Sequence, residues 1–382
     1  MLTSKRSKFS LPRNTTYLNC AYMAPLLKSV EKTGIRGVRL KRNPADIKPD
    51  DFFGTTELLR KEFARTINAG DASQIVVIPS VSYGLATVAR NVTIGKGQHV
   101  IVAAEQFPSN YYCWKSLCDA NGASIKTVSP PEGLNDRGKR WNQMILESID
   151  ADTGLVALGH VHWADGTRFQ LEEIRKRTRE VGALLIIDGT QSVGALPFDV
   201  RTIDPDALVV AGYKWLMGPY SIGMAWFGKF FDGGKPLEEN WINRKDSENF
   251  SSLVIYQEAY QDGALRYEVG EHSNFIHVPM LLNSVTQLNR WGIPNIQEYC
   301  RNISSEAVAL LRGKGYWIED DEFRGHHLFG IRIPPGTDVA ETKAGLAKKK
   351  IIVSFRGDAI RVSPNVYNTA EDLNRLARAL AS

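Results

Sequence analysis

A chain of 382 residues, 43% hydrophobic and 23% charged, can bury a large core and is too apolar to stay disordered; its length suggests two or three domain-sized units. The net charge of +5 is spread along the chain, and its densest clusters, residues 39–42 and 348–350, are short enough to be solvated faces rather than a nucleic-acid surface. No apolar run reaches the ~18 residues a bilayer-spanning helix needs, and four cysteines without a Cys-x-x-Cys pair argue against a zinc knuckle or disulfide framework and fit a reducing compartment.

The first 30 residues carry Lys and Arg but no acid. They lack the apolar centre of a secretory signal, and from Tyr17 onward the chain reads as folded protein, so the cytoplasm is expected. Beyond residue 26, short apolar runs alternate with helix-length amphipathic stretches. Strands are predicted at 75–78, 100–103, 155–158, 184–187, 208–210 and 222–227, with helices between them such as 171–180. This alternation predicts an α/β fold with a mostly parallel central sheet flanked by helices, occupying 26–294. After Gly292-Ile293-Pro294 the character changes. A helix at 296–311 precedes strand-like runs at 327–333, 351–355 and 361–363. A last helix is opened by Thr369-Ala370-Glu371-Asp372, a variant of the capping box. A smaller C-terminal α/β unit is therefore expected over 295–382.

Within this plan, Asp188 ends the apolar run 183–187 and opens Asp-Gly-Thr-Gln-Ser. Lys214, in Ala-Gly-Tyr-Lys-Trp-Leu-Met-Gly-Pro, follows 26 residues later. An Asp closing one buried strand and a Lys closing the next would meet at the carboxyl edge of the sheet, where open α/β folds bind ligands. The pair supplies both ends of a pyridoxal 5'-phosphate (PLP) site. The amine can form a Schiff base with the cofactor aldehyde, and the carboxylate can keep the pyridine nitrogen protonated. Upstream, strand 75–78 runs into Pro79-Ser80-Val81-Ser82-Tyr83-Gly84-Leu85, where a helix is expected to begin. Its free N–H groups at Val81 and Ser82, with the Ser82 hydroxyl, would hold a phosphate; an ordinary helix N-cap accounts for the same residues. No P-loop or Gly-x-Gly-x-x-Gly pattern occurs, which disfavours a nucleotide site.

Further segments extend the pattern: Tyr17-Leu-Asn-Cys-Ala21 with Pro25, Glu105-Gln106-Phe107-Pro108-Ser109-Asn110, and Gly-His-Val-His-Trp163-Ala-Asp-Gly. Glu268-Val-Gly-Glu-His-Ser-Asn274 and Arg361-Val-Ser-Pro with Tyr367-Asn368-Thr369 complete it. Together these resemble class V aminotransferases, the fold-type-I PLP enzymes that include cysteine desulfurases, selenocysteine lyases, isopenicillin N epimerase-like proteins and kynureninases. The resemblance covers nearly the whole chain, and Asp188, Gln191 and Lys214 are its specific part. It implies that Phe107 stacks on the pyridine ring and that Gln191 bonds the cofactor's phenolic oxygen. Trp163 falls where desulfurases usually carry Asn near that oxygen. His272 and Ser273 would reach across a homodimer interface to the partner's phosphate, although Gly-Glu-His replaces the commoner Gly-Thr. Arg361, or alternatively Arg356, would clamp a substrate α-carboxylate through its planar fork of donors. The N-terminal segment 1–25, with Asn19, would fold onto the substrate mouth. His160 and His162 have no third ligand at a recognisable spacing and read as pocket-lining or structural rather than metal-binding.

The resemblance implies a PLP-dependent enzyme acting on an amino acid or amine-bearing small molecule, through a Schiff base with the substrate (an external aldimine) and removal of the Cα proton by Lys214. Transamination or β-elimination (C–S lyase chemistry) leads. Epimerisation like that of isopenicillin N epimerase, or cysteine desulfurase and selenocysteine lyase chemistry, stands as the alternative, and a catalytically inactive PLP-fold binding or sensor protein as the reading from a different class. A desulfurase needs a nucleophilic thiol shortly before the Arg-x-Ser segment, and residues 351–358 contain no cysteine. Cys113, Cys118 and Cys300 read as buried structural residues, and Cys20 as the one cysteine that could approach the site. No nucleic-acid or membrane partner is expected.

Overall fold

The computed structural model describes residues 2–381. A two-residue strand, β1 (Thr16–Tyr17), precedes helices α1 (Lys28–Leu40) and α2 (Gly54–Thr66). The main sheet then forms from β2 (Ile75–Ile78), β3 (His99–Ala103), β4 (Ser124–Val128), β5 (Thr153–Gly159), β6 (Leu184–Asp188), β7 (Ala207–Ala211) and β8 (Gly223–Phe227). Its spatial order is β2-β8-β7-β6-β5-β3-β4. Between the strands run α3 (Val81–Asn91), α4 (Ser109–Asn121), α5 (Arg137–Ser148), α6 (Leu171–Val181) and the short α7 (Val200–Ile203). Every residue of β2, β3, β7 and β8 is buried, as a sheet covered by helices on both faces requires.

The pairing is parallel from β7 through β6, β5 and β3 to β4, whereas β8 lies antiparallel between β2 and β7. Two differences from the sequence reading have simple causes. Strand β4 was not foreseen because Ser-Ile-Lys-Thr-Val is half polar; as the edge strand it keeps much of that polarity exposed. Sheet direction at β8 follows from its connection to β7: residues 212–222 contain no helix and are too few for a parallel crossover.

Helices α8 (His277–Trp291) and α9 (Ile293–Gly313) lead to a three-stranded antiparallel sheet of β9 (Phe329–Arg332), β11 (Ser354–Arg356) and β12 (Ala359–Val362), in the order β11-β12-β9. The run foreseen as one strand over 351–355 is divided. Its first half, β10 (Ile351–Ile352), follows α10 (Val339–Lys348) and pairs in parallel with β1, while its second half joins β12. The strand foreseen from 327 begins instead at Phe329, because the His327 ring is drawn into bonds with Gln297 and the Gln191 carbonyl. The chain closes with α11 (Ala370–Ala381). Here the Thr369 N–H donates to Asp372 Oδ2 at 3.0 Å, one half of the foreseen capping box.

Candidate active site

Strands β6 and β7 are parallel neighbours with Asp188 opposite Val209. Lys214 does not close β7 but follows it by three residues, in the turn after Ala211. Thr190 ties the two ends together. Its N–H donates to Asp188 Oδ1 at 2.9 Å, and its Oγ1 accepts the Ala211 N–H at 3.1 Å. The lysine turn is itself closed by Met217 N–H on the Lys214 carbonyl (3.0 Å) and by Gly212 N–H on the Ile222 carbonyl (2.9 Å). Asp188 and Lys214 thus line one cavity of about 290 Å³ at the sheet's carboxyl edge.

Both groups are buried and neither forms an ion pair among the described residues. Burial pushes the Asp188 carboxyl up, while Thr190 and the Lys214 charge pull it back. Burial also lowers the Lys214 ammonium to about 8; Asp188 opposes this fall, and Arg361 and Arg356 add to it by repulsion. A buried carboxylate and a buried amine, neither in an ion pair among the described residues, leave room for a ligand that brings both a cationic N–H and an electrophilic carbon. PLP brings both.

The same cavity is also lined by a helix start of the kind that suits a phosphate. Helix α3 begins at Val81 with Ser80 as N-cap, its Oγ accepting the Tyr83 N–H at 3.2 Å, and Ser80, Val81 and Ser82 all line the cavity. Gly84 seats this helix on the sheet: a Cβ there would stand 2.7 Å from Val209 Cγ1 and 3.0 Å from Ile78 Cδ1. Gln106 also faces the cavity, with its buried Oε1 lacking any protein partner. The Phe107 ring centre lies 5.3 Å from Lys214 Nζ, so the residue expected to stack on the ring borders the lysine amine. Gln191 lines the same space; its Nε2 donates to the Ala21 carbonyl (3.2 Å) and its Oε1 accepts from Trp215 Nε1 (2.9 Å).

Trp163 closes one side. Its Nε1 donates to the Glu105 carbonyl at 2.6 Å, and its ring meets Phe107 edge-on at 5.6 Å. The foreseen substrate residues lie beyond it and do not line the cavity. Arg361 donates to the Trp163 carbonyl at 2.8 Å and to Ser354 Oγ at 3.4 Å; Ser354 in turn donates to Asn19 Oδ1 at 2.8 Å. Arg361 is 1% exposed, its Nε has no acceptor, and no described carboxylate lies within ion-pair reach of it. Burial, with Arg356 second, lowers its guanidinium to about 10.

His272 and Ser273 stand apart from the cavity of their own chain. His272 is buried 3.3 Å from Glu268, which also holds Arg60 (2.9 Å) and accepts the Val77 N–H. Three contributors escaped the sequence reading: Thr190, Gln106 and Tyr213. Each stands inside or beside a quoted motif, but only the fold shows that Thr190 joins two strand ends and that Tyr213 and Gln106 face the cavity.

The Aminotransferase class-V family model matches residues 51–376, and the chain belongs to that family of fold-type-I, PLP-dependent enzymes. Among similar proteins, the uncharacterized aminotransferase YcbU of Bacillus subtilis is 27% identical over 328 residues, covering 86% of this chain and 83% of YcbU. A probable cysteine desulfurase of Methanothermobacter thermautotrophicus is 27% identical over 341 residues, covering 84% and 82%. Among solved structures, the cystine C-S lyase C-DES with glycine covalently linked to its PLP cofactor superposes with a TM-score of 0.83 at 19% identity, covering 100% of both chains.

Proposed function

We propose that the enzyme takes an α-amino acid, removes its Cα proton with Lys214, and completes transamination or β-elimination at Cβ rather than desulfuration. The observation that carries this reading is the trio of buried charges that form no ion pair among the described residues: Asp188, Lys214 and Arg361. Bound PLP supplies an electron sink conjugated to the substrate's Cα. Lys214, with its ammonium lowered to about 8, holds a substantial neutral fraction near physiological pH, suiting it to move that proton. Asp188 supplies a fixed negative charge where the pyridine nitrogen would lie, and the α3 N-terminus with Ser82 receives the phosphate. Phe107 gives the ring a flat neighbour, and Gln191 offers an amide to the phenolic oxygen. Arg361 receives the α-carboxylate, with Asn19 orienting it through Ser354.

Cysteine chemistry argues against sulfur abstraction. Burial pushes the thiols of Cys20 to about 11 and Cys113 to about 12, and raises those of Cys118 and Cys300, so none is a ready thiolate. Cys113 is half-buried rather than fully buried as foreseen, but it lies on α4 outside the cavity. Elimination from a cysteine derivative needs no protein thiol.

We further propose a large cofactor-binding unit over 26–294, a smaller unit over 295–382, and a cytoplasmic homodimer whose interface includes His272 and Ser273. The exposure of Val254 (83%), Ile255 (65%) and Tyr256 (91%) supports an apolar contact surface. Among the described residues no helix is long and apolar enough to cross a membrane. The test is borohydride reduction of purified protein, peptide mapping, and a screen of amino acids and S-conjugates for keto acid, pyruvate, ammonia and sulfide. Reduction should fix the cofactor on Lys214; a cofactor fixed elsewhere, or no product from any amino acid, would refute the reading.

A further inference from the structure

Arg356 and Arg361 share one face of the small sheet. Arg361 on β12 pairs with Ser354 on β11, and Arg356 lies two residues beyond Ser354, so the two arginines are diagonal neighbours. Both guanidiniums pack over Trp163, their central carbons 5.1 Å (Arg356) and 5.8 Å (Arg361) from its ring centre. Neither has a carboxylate within ion-pair distance among the described residues, and the Nε of each is buried without an acceptor. Arg356 otherwise donates only to the carbonyl of Phe355, at 2.8 Å.

Two of the nearby acids, Asp165 and Asp358, are already engaged. Asp165 is held by Arg137 (2.8 Å), His162 (3.1 Å) and Arg332 (3.3 Å), and Asp358 pairs with Arg332. Glu105 shares a wall with Arg356 but forms no ion pair with it. That wall belongs to a second cavity of about 250 Å³, which adjoins the Trp163 segment at Ala164 and is lined also by Arg137 and Arg332 with the acids they hold, Asp165 and Asp358. An α-carboxylate on Arg361 would leave Arg356 uncompensated at the entrance to this space.

We propose that the substrate is an amino acid whose side chain ends in a second anionic group, carboxylate or phosphate, and that Arg356 receives it beside Trp163. This rests on the reading that Arg361 holds the α-carboxylate. Arg356 is then a specificity-determining residue: its fork matches anionic oxygens, and a neutral amide there would leave the charge unmet.

The test titrates holoenzyme, followed by its visible absorbance, with L-aspartate, L-glutamate and O-phospho-L-serine against L-asparagine, L-glutamine and L-serine. At least one acid should bind about tenfold or more tighter than its neutral counterpart. Arg356→Gln should erase that margin by weakening the acid far more than its neutral counterpart, and Arg356→Lys should keep part of it. The proposal is overturned if no acid has the margin in the wild type, if the margin survives Arg356→Gln, or if that change weakens acids and neutral partners alike. If no amino acid of either kind perturbs the absorbance, the underlying amino-acid reading fails first, and the proposal with it.

Discussion

Replacing Lys214 with Met keeps the length and apolar stem of the side chain but removes a charge that the apoprotein holds in a buried site. The fall of its ammonium from 10.5 to about 8 corresponds to about 3 kcal/mol at about 1.4 kcal/mol per tenfold. The sign follows from proton uptake. Between about 8 and 10.5 the unfolded chain binds this proton and the native one does not, so wild-type stability rises with pH there; the full cost is present below about 8. Apo Lys214→Met should therefore be more stable than apo wild type at pH 7, by up to about 3 kcal/mol. That advantage should shrink as pH climbs from 8 toward 10.5. Urea midpoints of both apoproteins at pH 7 and pH 10 measure it directly, and borohydride should no longer fix cofactor to the variant. A variant equal to or weaker than wild type at pH 7, with no pH dependence in the difference, would show that Lys214 is not a buried, unpaired cation.

Asp188→Asn should retain cofactor, since the phosphate and Lys214 contacts remain, while turnover falls by orders of magnitude once the fixed charge is lost; near-normal turnover would remove Asp188 from that role. Arg361→Lys should weaken α-amino acids by replacing a fork with a point charge, and Arg361→Ala should do so more strongly, by about 1.5–3 kcal/mol. The matched decarboxylated amine should be nearly indifferent to both changes in kcat/KM, and equal losses for acid and amine would make Arg361 structural. Gly84→Ala should force α3 off Val209 and Ile78, lowering PLP affinity about tenfold, measurable by cofactor titration of the apoprotein. Unchanged affinity would mean that the α3 N-terminus does not hold the phosphate.

Most of the central sheet was legible because it rests on local signals. Runs such as Ile75-Val-Val-Ile and Ala207-Leu-Val-Val-Ala are short, β-branched and apolar, and such segments can only be buried strands in a covered sheet. Asp188 and Lys214 were legible for the same reason: each follows such a run, and parallel connectivity brings consecutive strand ends to one edge. What the sequence could not state is which distant groups those residues meet. Nothing local divides 351–355 between two sheets, since the division depends on β1 arriving from more than 300 residues away. Nothing local marks Thr190 as the tie between two strand ends, or shows that no described acid pairs with Arg356 or Arg361. Residue type and order determined most of the strands and the meeting of Asp188 and Lys214 at one edge of the sheet. Which charges remain unpaired was decided by tertiary structure alone, because a buried charge is defined by everything packed around it.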